Sequence, residues 1–170
     1  VRNSSLDHLV AEHLPAALRF ATRLCGDPAR AEEIVQEALV RVVRSWRSFR
    51  GASEFRTWLF RIVINVFRDR QRRGADMLPI HDCRDELADA APQPAAAAMV
   101  AELGELVARE VSRLPARQRE VLVLVAYEGL STHEVAEALG ISEANVHSTL
   151  WAARSRLKAR LAPYFKSVEN

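Results

Sequence analysis

Cysteine is nearly missing from this chain: Cys25 and Cys83 are the only two in 170 residues. Two widely separated thiols cannot staple a disulfide framework or fill a four-ligand zinc site. A reducing, cytoplasmic setting is therefore expected. No run of about 18 or more uncharged apolar residues occurs, so no membrane span is expected. The start of the chain also lacks the charged, then apolar, then small order of a secretory signal. Histidine is sparse and scattered (His8, His13, His81, His133 and His147) without metal-ligand spacing. His81-Asp82-Cys83 lies in a polar stretch and reads as solvated linker rather than a metal site. There are only six glycines, with no phosphate-binding glycine loop and no strand–elbow–helix serine. These gaps leave no visible enzyme: no catalytic residue, metal or cofactor is expected.

Charge is present in quantity but unevenly placed. The net charge is only +2. Residues 1–74 nevertheless hold 14 Arg against 8 Asp/Glu, a balance of +6. Residues 75–112 hold 2 Arg against 8 Asp/Glu, a balance of −6, and residues 113–170 hold 8 Lys/Arg against 6 Glu, a balance of +2. Two basic segments flank an acidic one. Basic segments meet nucleic acid by neutralising phosphates and releasing counterions, although a solvated arginine-rich surface has the same composition.

The periodicity is helical throughout. Leu6, Leu9, Val10, Leu14, Ala17, Leu18, Ala21 and Leu24 recur at three and four residues, with Pro15 placed to kink or restart the helix. After Gly26-Asp27-Pro28 a second helix is predicted from about Ala29, with Glu32 and Glu33 in its first turn favouring the helix dipole. Its apolar stripe is Ile34, Val35, Ala38, Leu39, Val42, Val43 and Trp46. Phe49 to Ser53 breaks the period, and Ser53 is predicted to cap a third helix with Phe55, Trp58, Leu59, Ile62, Val63, Val66 and Phe67 turned inward. Pro79, Pro92 and Pro94 punctuate an acidic, Ala-rich linker. Helices resume through Met99, Leu103, Leu106, Val107 and Val111. They restart at Pro115, read as a first helical residue, and the helix through Val121, Leu122, Leu124 and Val125 stops at Gly129. The prediction is an all-α chain of two small domains, 1–74 and 98–170, joined by a linker at 75–97.

Two constellations carry chemistry. Ser131 and Glu134 fit a capping box. Gly140-Ile141-Ser142 fits a tight turn that plugs the core with Ile141 and caps the next helix with Ser142. A short helix, a glycine turn and a capped second helix make the helix-turn-helix spacing, which puts the second helix in a major groove. A plain helical hairpin tolerates the same pattern. The second constellation, residues 49–73, mixes Phe49, Phe55, Trp58, Phe60 and Phe67 with seven arginines and the polar Asn65. Rings and guanidinium groups suit unpaired bases and their phosphates. Trp58 and Phe67, however, sit on the apolar stripe and read as core before they read as base-stacking.

In this order and separation the pieces resemble the extracytoplasmic-function sigma factor family across nearly the whole chain. The matching residues are Ala31-Glu32-Glu33-Ile34-Val35-Gln36-Glu37-Ala38, Phe49-Arg50-Gly51 and Phe55-Arg56-Thr57-Trp58-Leu59-Phe60-Arg61-Ile62 with Asn65. Further on they are Leu114 to Val121, Glu128-Gly129-Leu130-Ser131 and Leu139-Gly140-Ile141-Ser142. The resemblance implies a sigma region 2 domain and a sigma region 4 helix-turn-helix domain with no third domain between them. It implies a promoter-specificity factor for bacterial core RNA polymerase, monomeric when free, that contacts duplex and melted promoter DNA and is restrained by an anti-sigma factor. Gln36, Glu37, Val40 and Arg41 are then expected to dock on polymerase. Phe49, Arg50, Gly51, Ala52 and Ser53 form the loop that captures a minus-ten base, with Trp58, Arg61, Asn65, Arg68, Arg72 and Arg73 on the adjoining helix. The linker is expected to thread through polymerase, where an acidic segment suits a basic channel. Ser142, Glu143, Ala144, Asn145, His147, Ser148, Trp151 and Arg154 are expected to face the minus-thirty-five element.

One departure from the family pattern stands in the second helix of the helix-turn-helix. Where basic residues are usual, this chain has His147, Thr149 and Ala152, and Arg154, Arg156 and Lys158 follow only later. That removes the expected guanine-reading arginines. It keeps a second reading open, a sigma-like decoy that binds an anti-sigma factor without initiating transcription. A conventional helix-turn-helix repressor or activator leaves the motifs at 31–65 unexplained.

Overall fold

In the computed structural model, which describes residues 2–49, 51, 53–74 and 94–166, all regular structure among those residues is helical. The first helix, α1 (Arg2–Cys25), continues through Pro15. An interior proline removes a hydrogen bond and costs about 3 kcal/mol. Here it faces solvent while Leu6 on one side and Ala17, Phe20, Ala21 and Leu24 on the other are buried. That packing on both sides offsets the defect, so the helix does not restart at Pro15.

Helix α2 (Pro28–Ser45) begins where the Ala29 and Arg30 N–H groups donate to Asp27 Oδ1 at 2.9 and 3.3 Å, with Pro28 at the first helical position. The start is earlier than Glu32 and Glu33 imply, and both lie beyond the first turn. Asp27 supplies the carboxylate there and satisfies two otherwise unpaired donors. A 3-10 turn, Trp46–Ser48, leads out of the helix. Helix α3 (Phe55–Arg72) is capped by Glu54 with no side-chain hydrogen bond, so the predicted Ser53 cap is corrected. Ser53 sits one residue too early, and burial of Phe55 and Trp58 anchors the helix start instead.

Helix α4 (Pro94–Ser112) starts ahead of the predicted boundary at 98, with Pro94 in the first turn, where its missing N–H has no helical partner to lose. The rest of the predicted linker lies outside the described residues. Pro115 is the cap of α5 (Ala116–Ala126) rather than its first residue, because its ψ of 140° is extended. Past α5, Gly129 at φ +67° turns the chain so that the Leu130 N–H donates to the Leu124 carbonyl at 3.0 Å.

The helix-turn-helix follows. In α6 (Thr132–Leu139) the capping box is complete. The Glu134 N–H donates to Ser131 Oγ at 3.3 Å, and the Ser131 N–H donates back to Glu134 Oε2 at 2.7 Å. The Ser131 hydroxyl also donates to Glu134 Oε2 at 2.6 Å, and this bond first, then that of the Ser131 N–H, holds the Glu134 carboxyl below its ordinary pKa. Gly140 takes a left-handed φ of +64°, and the Ile141 N–H donates to the Ala136 carbonyl at 3.0 Å. Ser142 Oγ then accepts from the Asn145 N–H at 3.2 Å at the start of α7 (Glu143–Lys166).

Helices α1–α3 pack on one another, and α5, α6 and α7 do the same. Across the join, α3 lies against α6, and α1 lies against α5 and α4. The buried apolar residues form one continuous cluster from Phe20, Phe60 and Phe67 through to Val121, Leu124, Val135 and Val146. Burial of α3 on two sides explains why Phe60 and Ile64 are enclosed beyond the single stripe its sequence predicts.

Candidate nucleic-acid interface

The residues from Trp46 to Trp58 build an aromatic floor. Phe49 stacks on Trp46 with ring centroids 5.5 Å apart and 17° between planes, and lies 4.7 Å from Trp58. Phe55 completes the group, 6.1 Å from Phe49 in an edge-on contact and 5.8 Å from Trp58. Trp58 is buried within this cluster, whereas Phe49 and Trp46 are half-buried. Trp58 therefore supports the loop from below, as its stripe position predicts. Above it, Gly51 has φ +69° with nothing near the place a Cβ would take, so the turn needs glycine for its backbone rather than for room. Ser53 is half-buried. Arg50 and Ala52 lie outside the described residues.

From this loop α3 leads away with a polar stripe. Arg61, Asn65, Arg68 and Arg72 follow at spacings of four, three and four, which places them on one helical face. Arg61, Asn65, Arg72 and the neighbouring Arg73 are exposed. Arg72 pairs with Asp69, and Arg70 with Glu33.

Beside it, α2 presents a separate face. Gln36 is exposed, as are Val40 (48%) and Val43 (63%). Val43 was predicted to point inward. Val42 takes the core position instead, and Val43 joins Gln36 and Val40 at i, i+4, i+7. Glu37 and Arg41 are fixed next to them: Arg41 donates to Glu37 at 2.7 Å and to Asp69 on α3 at 2.8 Å. The Asp69 bond is the main reason the Arg41 pKa is raised and that of Asp69 lowered.

On α7 the expected reading positions all face solvent: Ser142, Glu143, Ala144, Asn145, His147, Ser148, Trp151 and Arg154. Trp151 stands out at 72% exposure. Thr149 and Ala152 are half-buried, so the outward face runs through Ala144, His147, Ser148 and Trp151. Its base is tied to α6 by His133 Nδ1, 3.0 Å from Glu143 Oε1. That hydrogen bond is the main cause that raises the His133 pKa above its ordinary 6.5.

Sequence reasoning missed a set of bonds that cross between the two helical groups. Arg68 of α3 grips Glu120 of α5 with two donors, Nε at 2.9 Å and Nη2 at 2.5 Å. Arg56 donates to the Glu128 carbonyl at 2.6 Å and to its carboxylate at 3.1 Å, and Arg23 reaches the same carboxylate at 3.5 Å. Glu120 and Glu128 are only 2% and 5% exposed. Arg23 also lies over the Tyr127 ring at 4.5 Å, and Arg119 lies near that of Phe67 at 5.8 Å. Among the described residues, no three His, Cys, Asp or Glu side chains group to hold a metal, and no helix is long and apolar enough to cross a membrane.

The chain matches the Sigma-70 region 2 family model over residues 9–76 and the Sigma-70, region 4 model over residues 104–157. It is 33% identical to the ECF RNA polymerase sigma factor SigM of Mycobacterium tuberculosis over 98% of this chain and 81% of that protein. The chain belongs to the ECF sigma factor family. It is also 32% identical to the ECF RNA polymerase sigma factor SigE of Mycolicibacterium smegmatis, over 94% of this chain, and spans 63% of that protein's length. Among solved structures, CnrH in complex with the cytosolic domain of CnrY shares the fold at a TM-score of 0.67 and 30% identity. That match covers 95% of this chain and 90% of CnrH. In this ECF sigma factor the region 2 match takes in the aromatic floor, the α2 face and the α3 stripe. The region 4 match takes in α5, the helix-turn-helix and the outward face of α7 as far as Arg154 and Arg156.

Proposed function

We propose that this sigma factor brings core RNA polymerase to specific promoters and helps to open them, under the control of an anti-sigma factor. The observation that carries the reading is the exposure, on one chain, of three chemically distinct surfaces. The face of Gln36, Val40 and Val43 docks on polymerase, held in shape by the Glu37–Arg41–Asp69 bonds. The loop of Phe49, Arg50, Gly51, Ala52 and Ser53 receives a minus-ten base over the aromatic floor, where stacking tolerates any base. Asn65 reads a base edge, and Arg61, Arg68, Arg72 and Arg73 take the phosphates of the melted strand. Trp58 keeps Phe49 in place.

The α7 face reads the minus-thirty-five duplex with Asn145, His147, Ser148 and the Trp151 ring, while Arg154 takes a phosphate. Apolar contact from such a ring suits thymine methyl groups better than guanine. The names of the relatives support the polymerase role, and CnrH, solved in complex with the cytosolic domain of CnrY, supports control by a protein partner. A second reading, a sigma-like decoy, has one observation in its favour: the outward face of α7 offers no arginine before Arg154. Purified protein mixed with core polymerase and fragments of host DNA separates the two. A working sigma factor co-elutes with core and enriches fragments that share a two-part motif. Co-elution with an anti-sigma factor alone, and no enrichment, would establish the decoy.

A further inference from the structure

Among the described residues three ion pairs join the two domains, and in each the guanidinium comes from the region 2 side and the carboxylate from the region 4 side. Arg68 of α3 holds Glu120, and Arg56 and Arg23 converge on Glu128. The pairs span 52 to 105 residues of chain, so they exist only while the domains are together. Both carboxylates are almost wholly buried. Glu120 also has Arg117 of its own domain, but at 3.5 Å against 2.5 Å for Arg68. Loss of the close partner of a buried carboxylate is unfavourable, so these groups favour either the paired, closed arrangement or one in which water reaches them.

The geometry of the Arg68 pair is the informative part. Nε and Nη2 meet the two oxygens of Glu120 side by side, the fork that a guanidinium presents equally well to a phosphate. Arg68 is also a member of the polar stripe on α3, between the exposed Asn65 and Arg72. One arginine of that row is thus already occupied by an acid from the other domain, and Arg56, one turn after the capture loop, is occupied in the same way.

We infer that Glu120 and Glu128 are phosphate mimics that latch the free protein closed by occupying Arg68, Arg56 and Arg23, so that binding of nucleic acid and separation of the domains are coupled by exchange of those arginines. A polyanion that takes the arginines releases the carboxylates, and a protein that stabilises the closed pairing withholds them. The nucleic-acid half rests on the assignment of α3 as a DNA face; the latch itself does not.

The test separates the two. Small-angle scattering of the whole chain without DNA reads the latch. Wild type should have a radius of gyration near the roughly 16 Å of a compact chain of this length. Glu120→Gln with Glu128→Gln should expand it measurably. Arg56→Gln with Arg68→Gln cuts the same bonds from the other side and should do likewise, so the test survives if one variant fails to fold. Anisotropy with a mixed-sequence single-stranded 20-mer then reads the exchange. The Glu120/Glu128 double variant should bind about tenfold more tightly than wild type. Glu12→Gln with Glu32→Gln, which removes the same charge from exposed positions, should change affinity less than twofold.

Folded variants as compact as wild type would overturn the latch, whatever the protein does with polymerase. Expansion with no gain in DNA affinity over the charge-matched control would overturn the exchange. Failure of the sigma reading would show elsewhere, as an absence of core-dependent promoter selection, and would leave the scattering result unchanged.

Discussion

Asn65 stands in solvent between Arg61 and Arg68, one turn from each, on a helix whose other faces are largely apolar. A side chain that donates and accepts, on the exposed stripe that leads away from the aromatic floor, is suited to reading a base edge. Asn65→Ala should lower open-complex yield on a target promoter by about tenfold, within the range of one lost base contact of about 1–3 kcal/mol, while leaving core binding intact. Potassium permanganate footprinting measures this, and an unchanged yield would remove Asn65 from the site. His133 makes a prediction in pH. Its pKa is raised by the Glu143 hydrogen bond. The tie between α6 and α7 is therefore complete below the ordinary His value of 6.5 and is lost as pH rises through the raised value. An NMR titration should find His133 above 6.5 in wild type and back towards it in Glu143→Gln. Equal values in the two proteins would mean the pair does not form. Asn65 and Arg61 were legible in the sequence because polar residues break an apolar period. Glu120 and Glu128 were not. The burial of a carboxylate depends on arginines that the fold brings from 52 and 72 residues away, and no local pattern records that.

At the level of the element, legibility followed local chemistry. The Ser131–Glu134 capping box and the Gly140 turn are contained within a few residues, and α6 and the start of α7 fall where those residues put them. Helix α2 shows the limit. Its run of Val42-Val43 supplies two apolar neighbours 100° apart, and only the packing of α1 and α3 decides that Val42 is core and Val43 is surface. With Val43 exposed beside Gln36 and Val40, Val43→Asp should weaken core polymerase binding about tenfold, a loss of about 1.4 kcal/mol, with the melting temperature unchanged. A pull-down titration checks it, and unaltered binding would move the docking face off this stripe. At the other end of α2, Asp27 holds two backbone donors. Asp27→Ala should destabilise the protein by about 1 kcal/mol in urea unfolding, the usual cost of a lost cap. A change near zero would show that Pro28 and packing suffice to start the helix.

At the scale of the molecule, two helical domains were legible as a basic–acidic–basic division and as two amphipathic groups, but their union was not. The sequence marks α3 as a helix with one buried stripe. The fold buries it on two sides, between α1 and α2 and against α6, and that second contact joins two apolar clusters into one. Distance along the chain hides such contacts, since neither domain's periodicity states which of its surfaces will be covered by the other. The same closeness gives the whole chain its character: the aromatic loop, the α3 stripe and the α7 face belong to one protein whose family is defined by what it does with polymerase. Run-off transcription with core polymerase on a pool of host promoters measures that most directly. A working sigma factor gives transcripts that require both core and this chain and that share a two-part upstream motif. No transcripts, in an assay where the host's housekeeping sigma factor works, would contradict that role.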